Sequence, residues 1–199
     1  TRLANEWEIR PMEQARVQGS ADVTRKFLWR LRDGQFIESV LIPATLGTDG
    51  SRASRLTLCV STQVGCALGC KFCASGLDGL KRNLSTGEIL GQILLARGEA
   101  GRRIDNLVFM GMGEPLANFT AVTRAIRIIN APWGLGIGAR KITVSTVGLP
   151  TAIERLATFD IPVTLALSLH APNDDLRKQL IPWAKFATIQ EILSACDIY

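Results

Sequence analysis

The chain has 199 residues, with 23 Lys and Arg against 18 Asp and Glu, a formal net charge of +5. With 47% hydrophobic residues, 21% charged and 18 Gly, it can bury a sizeable core, which excludes a disordered chain. It contains no run of about 18 apolar residues, and its first ten residues lack an apolar signal core, so a soluble protein with a cytoplasmic address is expected.

The first 23 residues are polar and weakly periodic, and a helix and linker are expected there. Phe27, Trp29 and Leu31 then alternate with mostly polar residues, Asp33-Gly34 offers a two-residue turn, and Phe36 to Ile42 returns apolar-rich, which reads as a β-hairpin. Residues 44–54 (ATLGTDGSRAS) have loop composition. Beyond them, apolar runs at Leu56 to Val60, Leu107 to Met110, Ile142 to Val147 and Val163 to Leu169 are each short enough to be fully buried strands. Helical patterns separate them. Ser85 and Glu88 have capping-box spacing ahead of Ile89 to Ala96, Asn118 or Thr120 can cap Val122 to Ile129, and Pro150 can open Ala152 to Ala157. Asp174 to Leu180 and Ile189 to Cys196 also read as helices. Repeated strand-helix order predicts right-handed βα units on a parallel sheet. Only about four units are visible and a buried-type edge would be left uncovered, so further strands are expected outside this sequence, which reads as a fragment.

The chemistry concentrates in CVSTQVGCALGCKFC, where four of the five cysteines, Cys59, Cys66, Cys70 and Cys73, fall within fifteen positions. In a reducing compartment such crowding points to metal or redox chemistry rather than to disulfides. Cys66, Cys70 and Cys73 form C-x3-C-x2-C at the mouth of the first βα unit. Four-iron clusters normally take four cysteines, so three leave one iron open to an outside ligand. The competing reading is a structural zinc site completed by Cys59, although zinc cysteines usually come as two short-spaced pairs. Cys196 lies in a helical stretch and reads as structural.

This spacing resembles that of the radical S-adenosylmethionine enzymes, and the chain is similar in particular to the RlmN/Cfr family of RNA methyltransferases. The motifs agree in order: IESVLIP at Ile37 to Pro43, the cysteine segment, RNLSTGEI at Arg82 to Ile89, FMGMGEPLAN at Phe109 to Asn118, ITVSTVG at Ile142 to Gly148 and LSLHAPND at Leu167 to Asp174. The implied fold class is α/β: a partial parallel (βα) radical SAM barrel over residues 55–199, truncated before its last strands. A short helical segment and a β-hairpin over residues 1–54 precede it.

The resemblance implies a [4Fe-4S] cluster on Cys66, Cys70 and Cys73, with S-adenosyl-L-methionine on its open iron. Reductive cleavage of the cofactor would give a 5′-deoxyadenosyl radical, so the hard chemistry belongs to the cofactor and the protein positions it. In Gly111-Met112-Gly113-Glu114-Pro115, glycines would let the backbone approach a ligand and Glu114 can accept hydrogen bonds from a cationic amine. By resemblance Gly113 and Glu114 hold the methionyl end, and Ser145, Ser168, Leu169 and His170 supply further contacts at strand ends. A strand-end hydroxyl can equally cap a loop, and the chain's one histidine is weak grounds for acid-base work, so binding is its expected role.

The same resemblance implies methylation of carbon 2 of an adenosine in 23S rRNA and in tRNA, by way of a methylated cysteine far downstream. No residue here matches that cysteine, so the chain alone is not expected to turn over. Cys59 matches the cysteine that resolves the protein-RNA crosslink as a disulfide, and Glu38 matches the proton acceptor. Taken alone, Cys59 reads as a buried strand cysteine and Glu38 as an outward residue of an alternating strand. The link over residues 44–54 is longer than the family pattern. An external electron donor such as flavodoxin, a monomeric state and no membrane partner are also implied. Arg25, Lys26, Arg30 and Arg32 on the hairpin, with Lys71, Lys81 and Arg82 by the cysteine loop, would face RNA or simply solvent. The alternatives are a Cfr-type carbon-8 methyltransferase and a non-enzymatic zinc-stabilised RNA-binding module.

Overall fold

A computed structural model describes residues 12–20, 24–44 and 55–199. The hairpin forms as expected. Strands β2 (Arg25–Leu31) and β3 (Phe36–Pro43) pair antiparallel with Trp29 opposite Ile37. Its turn is one residue longer than the two-residue reading. Leu31 N donates to Gln35 O (2.8 Å) and Gly34 N to Leu31 O (3.0 Å), and Gly34 sits at φ +82°, so residues 32–34 make the loop. Met12–Gln18, in the stretch expected to be helix and linker, is instead a strand, β1, antiparallel to β2. It is an edge strand in which Met12 alone is buried, so it needs little apolar alternation to be held by its backbone bonds. Residues 1–11, 21–23 and 45–54, and with them the expected N-terminal helix and the long link, lie outside the described residues.

The four apolar runs become β4 (Leu56–Cys59), β7 (Asn106–Phe109), β8 (Ile142–Thr146) and β9 (Thr164–Leu167), all parallel, in a seven-stranded sheet ordered β1-β2-β3-β4-β7-β8-β9. A small antiparallel ribbon, β5 (Gln63–Gly65) with β6 (Leu80–Asn83), carries the cysteine loop between its strands. The helices are α1 (Thr86–Ala100), α2 (Phe119–Asn130), α3 (Pro150–Ala157), α4 (Asp174–Leu180) and α5 (Ile189–Ile198). Ser85 closes the expected capping box: its Oγ accepts from Glu88 N (3.2 Å) while its own N–H donates to Glu88 Oε2 (2.8 Å). Pro150 opens α3. Asn118 precedes α2 without capping it, and its Nδ2 donates instead to the carbonyls of Thr62 and Leu84, 2.8 Å each.

The strands are not buried on both faces as their apolar runs suggested. Leu58, Leu107, Phe109, Ile142 and Val144 are sealed in a core with Ile89 and Ile93 of α1, Val122, Ile126 and Ile129 of α2, and Ile153 of α3. Each such side chain contributes about 1.5–3 kcal/mol by leaving water. The alternate residues, among them Cys59, Val108, Ser145 and Ala166, are only half-buried on the opposite face. Valine and alanine on that second face hide the alternation from the sequence. Among the described residues no helix is long and apolar enough to cross a membrane.

Candidate cofactor site

Parallel strands bring their C-terminal ends to one side, and the loops that leave them enclose a cavity of about 310 Å³. The cysteine loop forms one wall and the GMGEP loop after β7 another, with the ends of β8 and β9 closing the third side. Of the residues singled out in the sequence, Cys66, Cys70, Cys73, Gly113, Glu114, Ser145, Ser168 and His170 line this cavity. Leu169, half-buried between two lining residues, is not in the lining, and neither are Cys59 and Glu38.

The cysteine loop is held from outside. Lys71 N donates to Leu180 O at the end of α4 (2.9 Å), and the Phe72 ring packs on His170, centroids 4.5 Å apart. His170 is the one described non-glycine residue with positive φ, +62°, a conformation that costs about 1–3 kcal/mol and marks a position held by its surroundings. The three thiols share the cavity, but among the described residues no group of three or more His, Cys, Asp or Glu is arranged as a ready metal site. Burial pushes the Cys70 thiol up to about 11, with further upward pressure from the neighbouring Cys66, Cys73 and Glu114. Burial also raises Cys66. Ionising all three would set like charges against one another in a single cavity, and a cationic inorganic core is what would hold them deprotonated together. The donor set, the shared cavity and its volume fit an iron-sulfur cluster. A four-cysteine zinc site does not fit as well, since Cys59 belongs to β4 and lies outside the lining.

Glu114 faces the thiols from the GMGEP loop and is 3% exposed. Burial pushes its carboxyl up to about 7, against the pull of the Leu116 and Val147 N–H groups and the Thr146 hydroxyl. Leu116 N donates to Oε1 (3.0 Å) and Val147 N to Oε2 (3.1 Å), but no lysine or arginine pairs with it among the described ion pairs. A buried carboxylate without an ion-pair partner is costly as an anion, and a cation brought beside it would stabilise its charged form. Ser145 and Ser168 share a hydroxyl hydrogen bond (3.0 Å) across the ends of β8 and β9.

The glycines have a use within the protein itself. A Cβ on Gly113, at φ +95°, would lie 2.4 Å from Gln63 Cβ, and one on Gly111 would lie 2.7 Å from Ser61 Oγ. Their missing side chains make room for Ser61 and Gln63, and both glycines also line the cavity. Ser61 and Gln63 lie inside the cysteine segment, where only the cysteines were given a role, yet they build the site. Gln63 Oε1 accepts from Glu114 N (2.8 Å) and its Nε2 donates to Asn83 Oδ1 (2.7 Å). Ser61 Oγ accepts from Met112 N (2.9 Å) and donates to Glu38 O (2.5 Å), and Gln92 bonds both backbone groups of Ser61. Buried glutamines with two partners each are the signal a sequence could offer, but only once their burial is known.

Cys59 and Glu38 share the half-buried sheet face. Val40 pairs with Cys59, which places Glu38 two residues along toward the cavity end of the sheet. Glu38 is in an ion pair with Lys26 (2.8 Å) and is 39% exposed, as alternation suggests. Burial raises the Cys59 thiol against a Met110 backbone hydrogen bond.

A sheet of parallel strands with a three-thiol loop and a buried carboxylate at its C-terminal edge agrees with what comparison shows: the chain belongs to the radical SAM superfamily, whose family model matches residues 60–198. Within that superfamily it is similar to probable dual-specificity RNA methyltransferases RlmN. It is 50% identical over 195 residues to that of Akkermansia muciniphila, covering 98% of this chain and 54% of the relative. It is 51% identical over 179 residues to that of Dictyoglomus thermophilum, covering 88% and 49%. The crystal structure of a radical SAM methyltransferase from Sphaerobacter thermophilus superposes with a TM-score of 0.87 at 46% identity, covering 98% of this chain and 56% of that one. The chain thus spans about half the length of the curated relatives it matches.

Proposed function

We propose that the chain is the cofactor-binding core of a radical SAM RNA methyltransferase that modifies carbon 2 of an adenosine in 23S rRNA and in tRNA. The observation that carries the reading is the cavity in which Cys66, Cys70 and Cys73 face a buried Glu114 that has no cationic partner among the described ion pairs. When bound there, a [4Fe-4S] cluster with S-adenosyl-L-methionine supplies one-electron carbon-sulfur cleavage and hydrogen abstraction. The three thiolates hold the cluster. Glu114 accepts the methionyl ammonium, and Gly113 allows its loop to reach Gln63, which orients the Glu114 backbone. Ser145, Ser168 and His170 border the rest of the cofactor, Leu169 contributes through its backbone between the last two, and the Phe72–His170 ring pair ties the cysteine loop to the end of β9. Cys59 resolves the crosslink to the base, and Glu38 receives the ring proton after release from Lys26. Carbon 2 of adenine lies between two ring nitrogens and is a poor nucleophile toward a sulfonium, which is why radical chemistry is needed. The base would be extruded from its RNA, at a cost of roughly a few kcal/mol of unstacking. A methyl-carrying cysteine outside this chain, an external electron donor such as flavodoxin, a monomeric state and a cytoplasmic location complete the proposal.

Anaerobic reconstitution with iron and sulfide tests it. About four irons per chain, with brown charge-transfer absorbance, are expected in the wild type, as for a single cubane cluster. Cys66→Ala, Cys70→Ala and Cys73→Ala should each lose both, while Cys59→Ala keeps them. Stoichiometric zinc without that absorbance, or a cluster indifferent to Cys70→Ala, would overturn it.

A further inference from the structure

Arg177 of α4 is fully buried, a charged side chain among core residues as large as Trp29 and Phe27. Burying a guanidinium costs several kcal/mol unless its N–H groups are used. Its Nη2 donates to Val147 O (2.5 Å) and its Nη1 to Ala187 O (3.2 Å), while Nε has no hydrogen-bond partner among the described residues. Such a group is an expensive way to hold two carbonyls unless their placement matters. Val147 is the residue after β8, and its two backbone groups are engaged on opposite sides: its N–H donates to Glu114 Oε2 (3.1 Å) and its carbonyl accepts from Arg177. The helices behind Arg177 are themselves fixed to this loop. Ile189 N donates to Asp174 Oδ1 (2.8 Å), joining α5 to α4, and Ile192 of α5 fills the space where Gly148 lacks a side chain.

We propose that Arg177 is a positioning residue that fixes the Glu114 carboxylate through Val147, and so sets the affinity of the cavity for a cationic amine. The inference rests on the reading that Glu114 receives the methionyl ammonium. Arginine suits the position because its rigid planar fork aims two donors at two carbonyls in fixed directions, whereas an ammonium is a compact point donor on a flexible stem. The helical segment after β9 thereby supports the site from outside the cavity.

A double-mutant cycle on the anaerobically reconstituted chain tests this, using binding of S-adenosylmethionine and of its analogue lacking the amino group, measured by calorimetry. Arg177→Lys should weaken S-adenosylmethionine about tenfold, a coupling within the range of residues sharing one hydrogen-bond network. It should leave the des-amino analogue unchanged, and Arg177→Lys with Glu114→Gln should bind no more weakly than Glu114→Gln alone. An equal loss for the analogue, or a further tenfold loss in the Glu114→Gln background, would show a general brace and overturn the inference. Glu114→Gln binding S-adenosylmethionine as tightly as wild type would instead sink the reading of Glu114. Where Arg177→Lys does not fold, Arg177→Gln takes its place. Amide exchange in the wild type gives an independent check: the Val147 N–H should be protected and should exchange faster in Glu114→Gln, and an unprotected Val147 amide would contradict the proposal.

Discussion

At the scale of single residues, the site depends on groups whose conformation or burial would be unfavourable elsewhere. Gly113 is the plainest. Its φ of +95°, and the 2.4 Å that would separate an added Cβ from Gln63 Cβ, together forbid a side chain there. Gly113→Ala should therefore destabilise the chain by about 1–3 kcal/mol from its backbone conformation alone, and by more from the overlap. Urea unfolding measures it, and a stability within error of wild type would contradict the geometry. Glu114 shows the complementary case. It is held in place by Leu116 and Val147, yet burial keeps it from being comfortable as an anion. The local spellings that were legible, CALGCKFC and GMGEP, say which residue types are near one another. They do not say that the glycines admit Ser61 and Gln63, because that depends on a strand connection about fifty positions away.

At the scale of elements, the start of α1 ties the cysteine ribbon to the helix layer. Arg82 of β6 bonds Glu88 (2.8 Å) in the capping box and Asp33 (2.6 Å) in the hairpin turn. Burial pushes the Glu88 carboxyl up, but the Arg82 hydrogen bond and the Ser85 N–H outweigh it and hold the group below 4.5. The Arg82 hydrogen bond likewise holds Asp33 below 3.8. Both folded-state values lie under the unfolded ones, so the stabilisation is complete above pH 4.5 and fades as acid protonates the two carboxylates. Arg82→Leu should accordingly lose the whole of this contribution near neutrality, roughly 0–1 kcal/mol for a partly exposed pair such as Arg82–Glu88, and differ less and less from wild type as pH falls below 4.5, so that its stability depends less steeply on acid. Ser85→Ala should cost about 1 kcal/mol at all pH values by losing the cap. Circular dichroism followed across pH separates the two, and equal acid sensitivity of Arg82→Leu and wild type would contradict the assignment. Capping boxes, Pro150 and the apolar runs are local signals, so α1, α3 and the four parallel strands could be placed from sequence. Strand β1 could not, since an edge strand with one buried residue takes its structure from its partner.

At the scale of the whole molecule, the sheet divides the chain between two tasks. One face is sealed against the helices and supplies stability, while the other is half-buried and runs from Glu38 past Cys59 to Ser145 and the cavity. The division was hidden because Val40, Val108 and Ala166 make the second face apolar too, so the strands read as buried on both sides. Among the buried polar residues that join these layers, Ser61 and Gln63 sit inside the cysteine segment without an expected role, while Gln92 and Arg177 lie outside every motif quoted. Only their position gives them meaning. The proposed chemistry depends on the cavity bringing a sulfonium nucleoside into contact with a cluster held by three thiolates. Electron paramagnetic resonance of the reduced, reconstituted chain tests this most directly. Adding S-adenosylmethionine should shift the g-values of the cluster signal in the wild type, with a much higher half-saturating concentration in Glu114→Gln. A signal that stays unchanged at saturating S-adenosylmethionine would contradict it.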